Sequence, residues 1–124
     1  NSLDVSYCQN LADGDFEGVA LPNLQLLDAN NSNISGIGLS VILSTSYKLQ
    51  ELDITSCENL ADGDFKGEFL MELKIVQVND SNICPEGLNS LLNRCPKLES
   101  LNSDICENQA EGDFDYISKR PKVV

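Results

Sequence analysis

The chain lacks histidine and tryptophan altogether, and only 6% of its 124 residues are aromatic. Without histidine, the commonest general base and the commonest metal ligand are missing from any candidate site. Without tryptophan and with few other aromatic residues, the core has to be built from leucine, isoleucine and valine. No apolar run approaches the roughly 20 residues that a membrane-spanning helix needs. These absences argue against an enzyme and against a membrane-spanning protein.

Basic side chains are also scarce: 8 lysines and arginines face 20 aspartates and glutamates, which gives a net charge of −12. Lys119, Arg120 and Lys122 lie at the C-terminal end, so residues 1–115 carry 5 basic and 20 acidic side chains and a net charge of −15. A body this acidic repels the phosphates of nucleic acids and of anionic membranes. We therefore expect no nucleic acid and no membrane among the partners, whereas a protein with a basic or neutral surface would fit.

What the sequence has in abundance is repetition. The segment CQNLADGDF at Cys8–Phe16 recurs as CENLADGDF at Cys57–Phe65 and as CENQAEGDF at Cys106–Phe114, each time after 49 residues. Residues 3–51 align with residues 52–100 without a gap and share nearly half of their amino acids. Self-similarity at a fixed period is typical of repeat architectures.

Each 49-residue repeat contains a shorter period of 24 or 25 residues. It is marked by the pattern Leu-x-x-Leu-x-Ile-x-x-Cys, which runs from Leu49 to Cys57, and related segments begin at Leu24, Leu73 and Leu98. This is the period of a leucine-rich repeat. We call one such unit of 24 or 25 residues a coil.

The pattern predicts one short strand in each coil. Leu52 and Ile54 alternate with Asp53 and Thr55, which is typical of a strand with one buried face. A single coil cannot bury its own leucines, but stacked coils bury them together and place their strands in one parallel sheet. The sequence therefore predicts an α/β leucine-rich-repeat solenoid over residues 1–115, with about five coils and a C-terminal tail at residues 116–124. A short curved parallel sheet would line the concave side, with helices and turns on the convex side.

The convex side is predicted to alternate between two kinds of segment. Ser35–Tyr47 and Cys84–Arg94 are long enough for helices; in the second, leucines recur with helical spacing and a proline suits the first turn. Asp13–Asn23 and Asp62–Glu72 are shorter than Ser35–Tyr47 and contain two glycines each. For these shorter segments we expect a turn followed by a short or irregular helix.

Two motifs resemble a known family. The strand motif at 52–57, LDITSC, and the coil end Cys95-Pro96-Lys97-Leu98 are similar to the cysteine-containing class of leucine-rich repeats found in F-box substrate-receptor proteins. The similarity covers roughly Ser2–Phe114, although Ser32 and Ser81 replace the strand-end cysteine in alternate coils. The sequence contains no F-box, so the resemblance does not extend to ubiquitin-ligase assembly. It implies a curved solenoid whose inner sheet binds another protein.

The five cysteines lie in positions that do not suit disulfide bonds. Cys8, Cys57 and Cys106 follow one another at intervals of two coils, about 10 Å across a sheet, and a disulfide tolerates at most about 7 Å between Cα atoms. Cys84 and Cys95 flank one predicted helix and are separated by about 15 Å along its axis. We therefore predict free and mostly buried thiols.

Two features bear on the compartment in opposite directions. Free thiols favour the reducing cytoplasm, and the chain opens at Asn1–Leu3 without the basic region of a signal peptide. N-glycosylation sequons would suit a secreted protein; they begin at Asn30, Asn33 and Asn79. Because these sequons arise from the repeat consensus, we interpret them as incidental and predict a cytoplasmic protein.

The recurring acidic triplet has two interpretations. Asp13–Asp15, Asp62–Asp64 and Glu111–Asp113 each combine two carboxylates with a glycine, the kind of oxygen ligand that calcium prefers. Each copy alone falls short of the six to eight oxygens that calcium takes, and copies about 10 Å apart cannot share one ion. In the structural interpretation, aspartate caps the following turn, glycine permits the bend, and the next residue, Phe16 or Phe65, fills the core. We predict the structural role.

The solvent-facing strand positions form the candidate binding site. Strand side chains alternate between core and concave face, so two polar columns should run across the sheet. The first column is Asp4, Asp28, Asp53, Gln77 and Asn102, and the second is Ser6, Asn30, Thr55, Asn79 and Asp104. With the apolar anchors included, the predicted partner-binding residues are Tyr7, Leu26, Asp28, Asn30, Glu51, Asp53, Thr55, Ile75, Gln77, Asn79, Asn102 and Asp104.

The function predicted from the sequence is a non-enzymatic interaction module that binds a protein partner through the concave face, without catalytic residues, metal or cofactor. A partner with a basic patch would complement the acidic column. Two alternatives stay open: a purely structural segment of a longer repeat array, and a calcium-stabilised extracellular adhesion repeat. The bare sheet edges of the terminal coils are in addition candidates for homodimer formation.

Overall fold

The computed structural model describes residues 1–67 and 69–103, and within them five short strands form one parallel sheet. The strands lie side by side in chain order; they are β1 (Ser2–Asp4), β2 (Leu26–Asp28), β3 (Glu51–Asp53), β4 (Ile75–Gln77) and β5 (Ser100–Asn102). The connections contain two α-helices, α1 (Gly36–Thr45) and α2 (Pro85–Leu92), and two 3₁₀ helices, Asp13–Phe16 and Asp62–Phe65. The predicted α/β class and parallel sheet are confirmed. The predicted boundary between residues 115 and 116 lies outside the described residues.

The strand register follows the spacing of the leucines. Leu3, Leu27, Leu52, Val76 and Leu101 lie opposite one another on neighbouring strands. Backbone hydrogen bonds continue the ladder past the strand ends, for example from the Ala29 N–H to the Asp53 carbonyl at 2.8 Å. We use "unit" below for one strand together with the connection that follows it. Each strand pairs with the strand of the next unit in the chain.

One face of the sheet carries the core. The middle residues of β2, β3, β4 and β5 are at most 1% exposed to solvent. A second row of residues (Ala29, Ile54, Val78) is fully buried. Burying one such leucine or valine contributes about 1.5–3 kcal/mol. The core is largely aliphatic, as the shortage of aromatic residues predicts, and Phe16 and Phe65 pack into it.

The helices form a second layer on that buried face. Helix α1 contacts both 3₁₀ helices, and α2 contacts the second of them. Ser35 caps α1 by accepting a hydrogen bond from the Gly38 N–H at 3.2 Å, and α2 opens with Pro85 directly after Cys84. Both predicted helices are confirmed, with each end one or two residues inside the predicted bounds. Within the described part of the chain, no helix has the length and apolar character needed to cross a membrane.

The shorter connections differ from the prediction in one respect. The acidic segments Asp13–Phe16 and Asp62–Phe65 are themselves helical, rather than turns that precede a helix. The second aspartate causes this, because its Oδ2 accepts the N–H of the alanine three residues earlier, at 2.8 Å in both copies. Gly14 and Gly63 lie inside these helices, and the positive φ angles occur at Gly18 and Gly67 instead. The third copy, Cys106–Phe114, lies outside the described residues.

Candidate interaction surface

The sheet face opposite the helices, which we call the open face, carries most of the predicted site. The first and third residue of each inner strand point away from the core and are exposed or half-buried, whereas the middle residue is buried. The structure therefore brings these predicted residues together on one surface: Leu26, Asp28, Glu51, Asp53, Ile75, Gln77 and Asn102. Asn30, Thr55 and Asn79 follow two positions after their strands and are half-buried. Asp104 lies outside the described residues.

Three carboxylates form a line across the open face. Asp4, Asp28 and Asp53 are register partners on β1, β2 and β3, and neighbouring strands lie about 4.8 Å apart. Like charges placed directly opposite one another destabilise a sheet. None of the three carboxylates pairs with a lysine or arginine among the described residues. We call these three residues the acidic column; a cationic partner would relieve the repulsion within it.

Local hydrogen bonds hold the acidic column in place. In each case Oδ1 accepts the backbone N–H two residues later: Ser6 at 2.9 Å, Asn30 at 3.1 Å and Thr55 at 3.0 Å. Aspartate followed two positions later by a small polar residue favours such bonds. Hydrogen bonds from the Ser6 side chain and backbone also lower the pKa of Asp4 below its ordinary value of 3.8. One oxygen of each carboxylate is therefore fixed by the chain, and the other can meet a partner.

The other end of the same face is neutral. Gln77 and Asn102 occupy the register positions that aspartate occupies on the first three strands. The Asn79 side chain donates to Asn102 Oδ1 at 2.9 Å, which ties the two neighbouring units together. The predicted change from carboxylates to amides along the column is therefore present in the structure.

The apolar anchors agree only in part with the prediction. Tyr7 is 70% exposed, while Leu26 and Ile75 are half-buried. Three further exposed apolar residues were not predicted. Tyr47, Phe69 and Met71 are 50–67% exposed and lie in the connections that lead into β3 and β4. Tyr47 and Met71 each stand four residues before a strand, so the repeat register could have identified them as neighbours on the edge where strands begin.

A polar groove runs along the opposite edge, where the strands end; we call it the edge groove. Tyr7, Asn31, Ser56 and Asp80 stand three residues after successive strands and adopt φ angles of 50–61°, which turn the chain away from the sheet. Asn and Asp tolerate this left-handed conformation better than most residues. The edge groove has a volume of about 580 Å³ and is lined by side-chain amides, by serine hydroxyls and by the carboxylates of Glu58 and Asp80.

The amides of the edge groove also connect neighbouring units. Asn59 Nδ2 donates to the Asn33 carbonyl and Asn82 Nδ2 to the Glu58 carbonyl, both at 2.9 Å, and Gln9 Nε2 donates to the Asn31 carbonyl. Within residues 1–67 and 69–103, the amide oxygens of Gln9, Asn59 and Asn82 accept no hydrogen bond. The edge groove was not predicted, because these amides are far apart in sequence and only the unit-to-unit register aligns them.

The cysteine side chains are less buried than the sequence predicts. Cys57 and Cys95 are buried, but Cys8 and Cys84 are exposed, so the prediction of mostly buried thiols is wrong for two of the four described cysteines. Cys57 Sγ donates to the Ala29 carbonyl of the preceding unit at 2.9 Å. Cys8 stands at the equivalent position beside β1, and no strand of the described residues covers the outer side of β1. None of the four described cysteines is in a disulfide, and Cys106 lies outside the described residues.

Burial also affects the chemistry of Cys57. Removal from solvent raises the pKa of its thiol above the ordinary value of 9.0, and hydrogen bonding with Ser32 only partly offsets this. A buried, protonated thiol is a poor nucleophile. Cys57 therefore acts as a packing and hydrogen-bonding residue.

The acidic triplets do not assemble a metal site in the part of the chain that the structure describes. No three His, Cys, Asp or Glu side chains converge there. Asp15 and Asp64 each direct Oδ2 to a backbone N–H of their own 3₁₀ helix. The capping role predicted for aspartate is therefore confirmed for the second aspartate of both described triplets.

Comparison with known proteins adds no relative. A scan against protein-family models finds no match to this chain. A search of curated proteins likewise returns no significant match. The function is therefore inferred from the open face and the edge groove.

Proposed function

We propose that the protein is a non-catalytic leucine-rich-repeat solenoid that binds a protein partner through the open face of its sheet. The observation that carries the proposal is the acidic column. Asp4, Asp28 and Asp53 lie in register on adjacent strands, fixed by local hydrogen bonds and without a basic side chain to pair with among the described residues. Keeping three aligned carboxylates raises the energy of the free protein, and a basic partner would offset that energy.

The solenoid interpretation is supported by the regularity of the sheet. Consecutive strands pair in chain order, and the paired leucine positions are 24 or 25 residues apart. In such arrays each unit contacts mainly its neighbours, and the exposed sheet face is an extended binding surface. Four cysteines outside any disulfide favour a reducing compartment, and we propose the cytoplasm.

Charge reversal on the open face tests this function. The variant Asp28→Lys/Asp53→Lys and the wild-type protein are used as baits in parallel pull-downs from one lysate. The control is Asp13→Lys/Glu17→Lys, which makes the same change of charge at the first 3₁₀ helix, in the helix layer. We expect a partner that is lost with the open-face variant and retained with the control. Identical partners for all three baits would contradict binding through the open face.

Self-association through β1 is a second candidate, favoured by the open edge of that strand. Among the described residues β1 pairs with β2 alone, and Leu3 and Val5 are half-buried there, whereas the equivalent Leu52 and Ile54 are buried. An unpaired strand edge can pair with another chain. Light scattering over a range of concentrations checks this: a rise in mass toward a dimer would support it, and a constant monomer mass would exclude it.

A further inference from the structure

The edge groove combines negative charge with an excess of hydrogen-bond acceptors. Among the described residues that line it, the two charged side chains, Glu58 and Asp80, are both acidic, and none is a lysine or arginine. The Glu58 side chain is exposed and accepts no hydrogen bond within the described residues. A cleft lined by charge of one sign focuses the electric field and concentrates ligands of the opposite charge.

The direction of the amides adds to this selectivity. Asn59 and Asn82 each donate a hydrogen bond from Nδ2 to a backbone carbonyl of the preceding unit. This bond fixes the orientation of the side-chain amide. A carbonyl can only accept, so the nitrogen must face it and the amide oxygen is turned away. Gln9 is oriented in the same manner by the Asn31 carbonyl. Three amide oxygens and two carboxylates thus stand along one edge.

We propose that the edge groove binds the guanidinium group of an arginine carried by the protein partner. Guanidinium is planar, always charged, and presents five N–H donors without any acceptor. It can bind a carboxylate through two parallel hydrogen bonds and use its remaining donors on amide oxygens. The lysine ammonium carries only three donors on a point charge, so it uses this row of acceptors less completely.

The edge groove adjoins the acidic column and would extend the same interface. Asn31 and Ser56, which line the groove, follow Asp28 and Asp53 of the acidic column by three residues. A basic partner segment lying along the acidic column would therefore place an arginine over the groove. The identity of the ligand rests on the proposed function, in that the arginine belongs to the protein partner, but the groove can be tested by itself.

The test uses peptides of known composition. An acetylated, amidated Gly-Arg-Gly-Arg-Gly peptide is titrated into isotopically labelled protein, and the side-chain amide resonances of Gln9, Asn59 and Asn82 are followed by NMR. Matched peptides contain citrulline, which has the shape of arginine without its charge, or lysine. We expect saturable shifts at these three amides with arginine, smaller shifts with lysine and none with citrulline. Equal shifts with citrulline would overturn the proposal, because they would indicate a neutral polar ligand.

Matched variants locate the binding. Glu58→Gln/Asp80→Asn removes both groove charges while keeping side-chain shape, and asparagine tolerates the positive φ at position 80. We expect arginine-peptide affinity to fall about tenfold, the loss of two exposed charge pairs. A thermal melt checks that the variant is folded. The control Glu17→Gln, exposed at the end of the first 3₁₀ helix, should bind like the wild type.

The variant Asp28→Asn/Asp53→Asn separates the two surfaces. If the groove variant binds arginine peptide normally and the open-face variant does not, the groove proposal is wrong while the proposed function survives. If the groove variant loses arginine binding but the partner found by pull-down is unaffected by either variant, the groove site survives and the proposed function fails.

Discussion

The two 49-residue repeats share nearly half of their residues, and several of the shared residues lie in different surroundings. Leu3, Cys8 and Asp15 are half-buried or exposed, but their counterparts Leu52, Cys57 and Asp64 are buried or half-buried. The sequence is the same at these positions, so the difference comes from neighbours. The second repeat packs against the first, whereas no strand of the described residues lies on the outer side of β1. Burial of a unit therefore depends on the unit packed beside it, and the interfaces between units contribute to stability.

The largest expected effect concerns the paired strand leucines. Leu52→Ala leaves a cavity beneath β3, where Leu52 is 1% exposed, and we expect the free energy of unfolding to fall by about 3 kcal/mol. Leu3→Ala removes the same atoms from the half-buried edge strand, and we expect a loss of about 1 kcal/mol. Urea unfolding of both variants checks the difference. Equal losses would show that the edge repeat is as well packed as the inner repeat.

A smaller effect concerns contact between units through a glycine. An added Cβ at Gly36, the first residue of α1, would lie 1.9 Å from Asp64 Oδ1 of the following unit. Gly36→Ala therefore requires the carboxylate to move, and we expect a loss of about 1–3 kcal/mol. The control Gly14→Ala has nothing within 4 Å of the added atom, so its change should be about 1 kcal/mol or less in either direction.

A double-mutant cycle sharpens this prediction. Asp64→Ala removes the carboxylate, so Gly36→Ala should be less destabilising in that background than in the wild type. If Gly36→Ala lowers the free energy of unfolding equally in both backgrounds, contact with the Asp64 carboxylate is not the reason that the substitution is destabilising.

The smallest effect, a difference of rate rather than of stability, concerns the thiols. Cys57 is buried with a raised pKa, while Cys8 is exposed beside the edge strand. We expect iodoacetamide to label Cys8 at least roughly 100-fold faster than Cys57, because Cys57 reacts only after local opening. Peptide-resolved mass spectrometry measures both rates in one sample. Similar rates would mean that the second repeat opens as readily as the edge.

Much of the fold could be predicted from periodicity alone. The leucine spacing predicted the parallel strands, and the lengths of the connections predicted α1 and α2, because stacked units must bury their leucines together. The helical form of the acidic segments could not be predicted in the same way. It depends on Asp15 and Asp64 folding back onto a backbone N–H, whereas the expectation was a turn followed by a helix.

The candidate site shows a similar limit. Strand alternation placed Asp28, Asp53 and Gln77 on one face, since side chains alternate along any strand. The edge groove required knowledge of which amides meet between units, such as Asn59 with the Asn33 carbonyl 26 residues earlier. The exposure of Cys8 likewise follows from its position beside β1, whose outer side no described strand covers. A repeat consensus treats every unit as if it had neighbours on both sides.

Binding of a protein partner through the open face is tested most directly by measuring the affinity of a captured partner for Asp28→Asn/Asp53→Asn. This variant removes two charges from the open face, and the asparagine oxygens can still accept the Asn30 and Thr55 N–H groups. We expect this variant to bind the partner about tenfold more weakly than the wild type does, and we expect its affinity to depend less on salt concentration. The control Asp13→Asn/Glu17→Gln should bind like the wild type. If the open-face variant binds the partner as tightly as the wild type at both low and high salt, the partner does not bind through the acidic column of the open face.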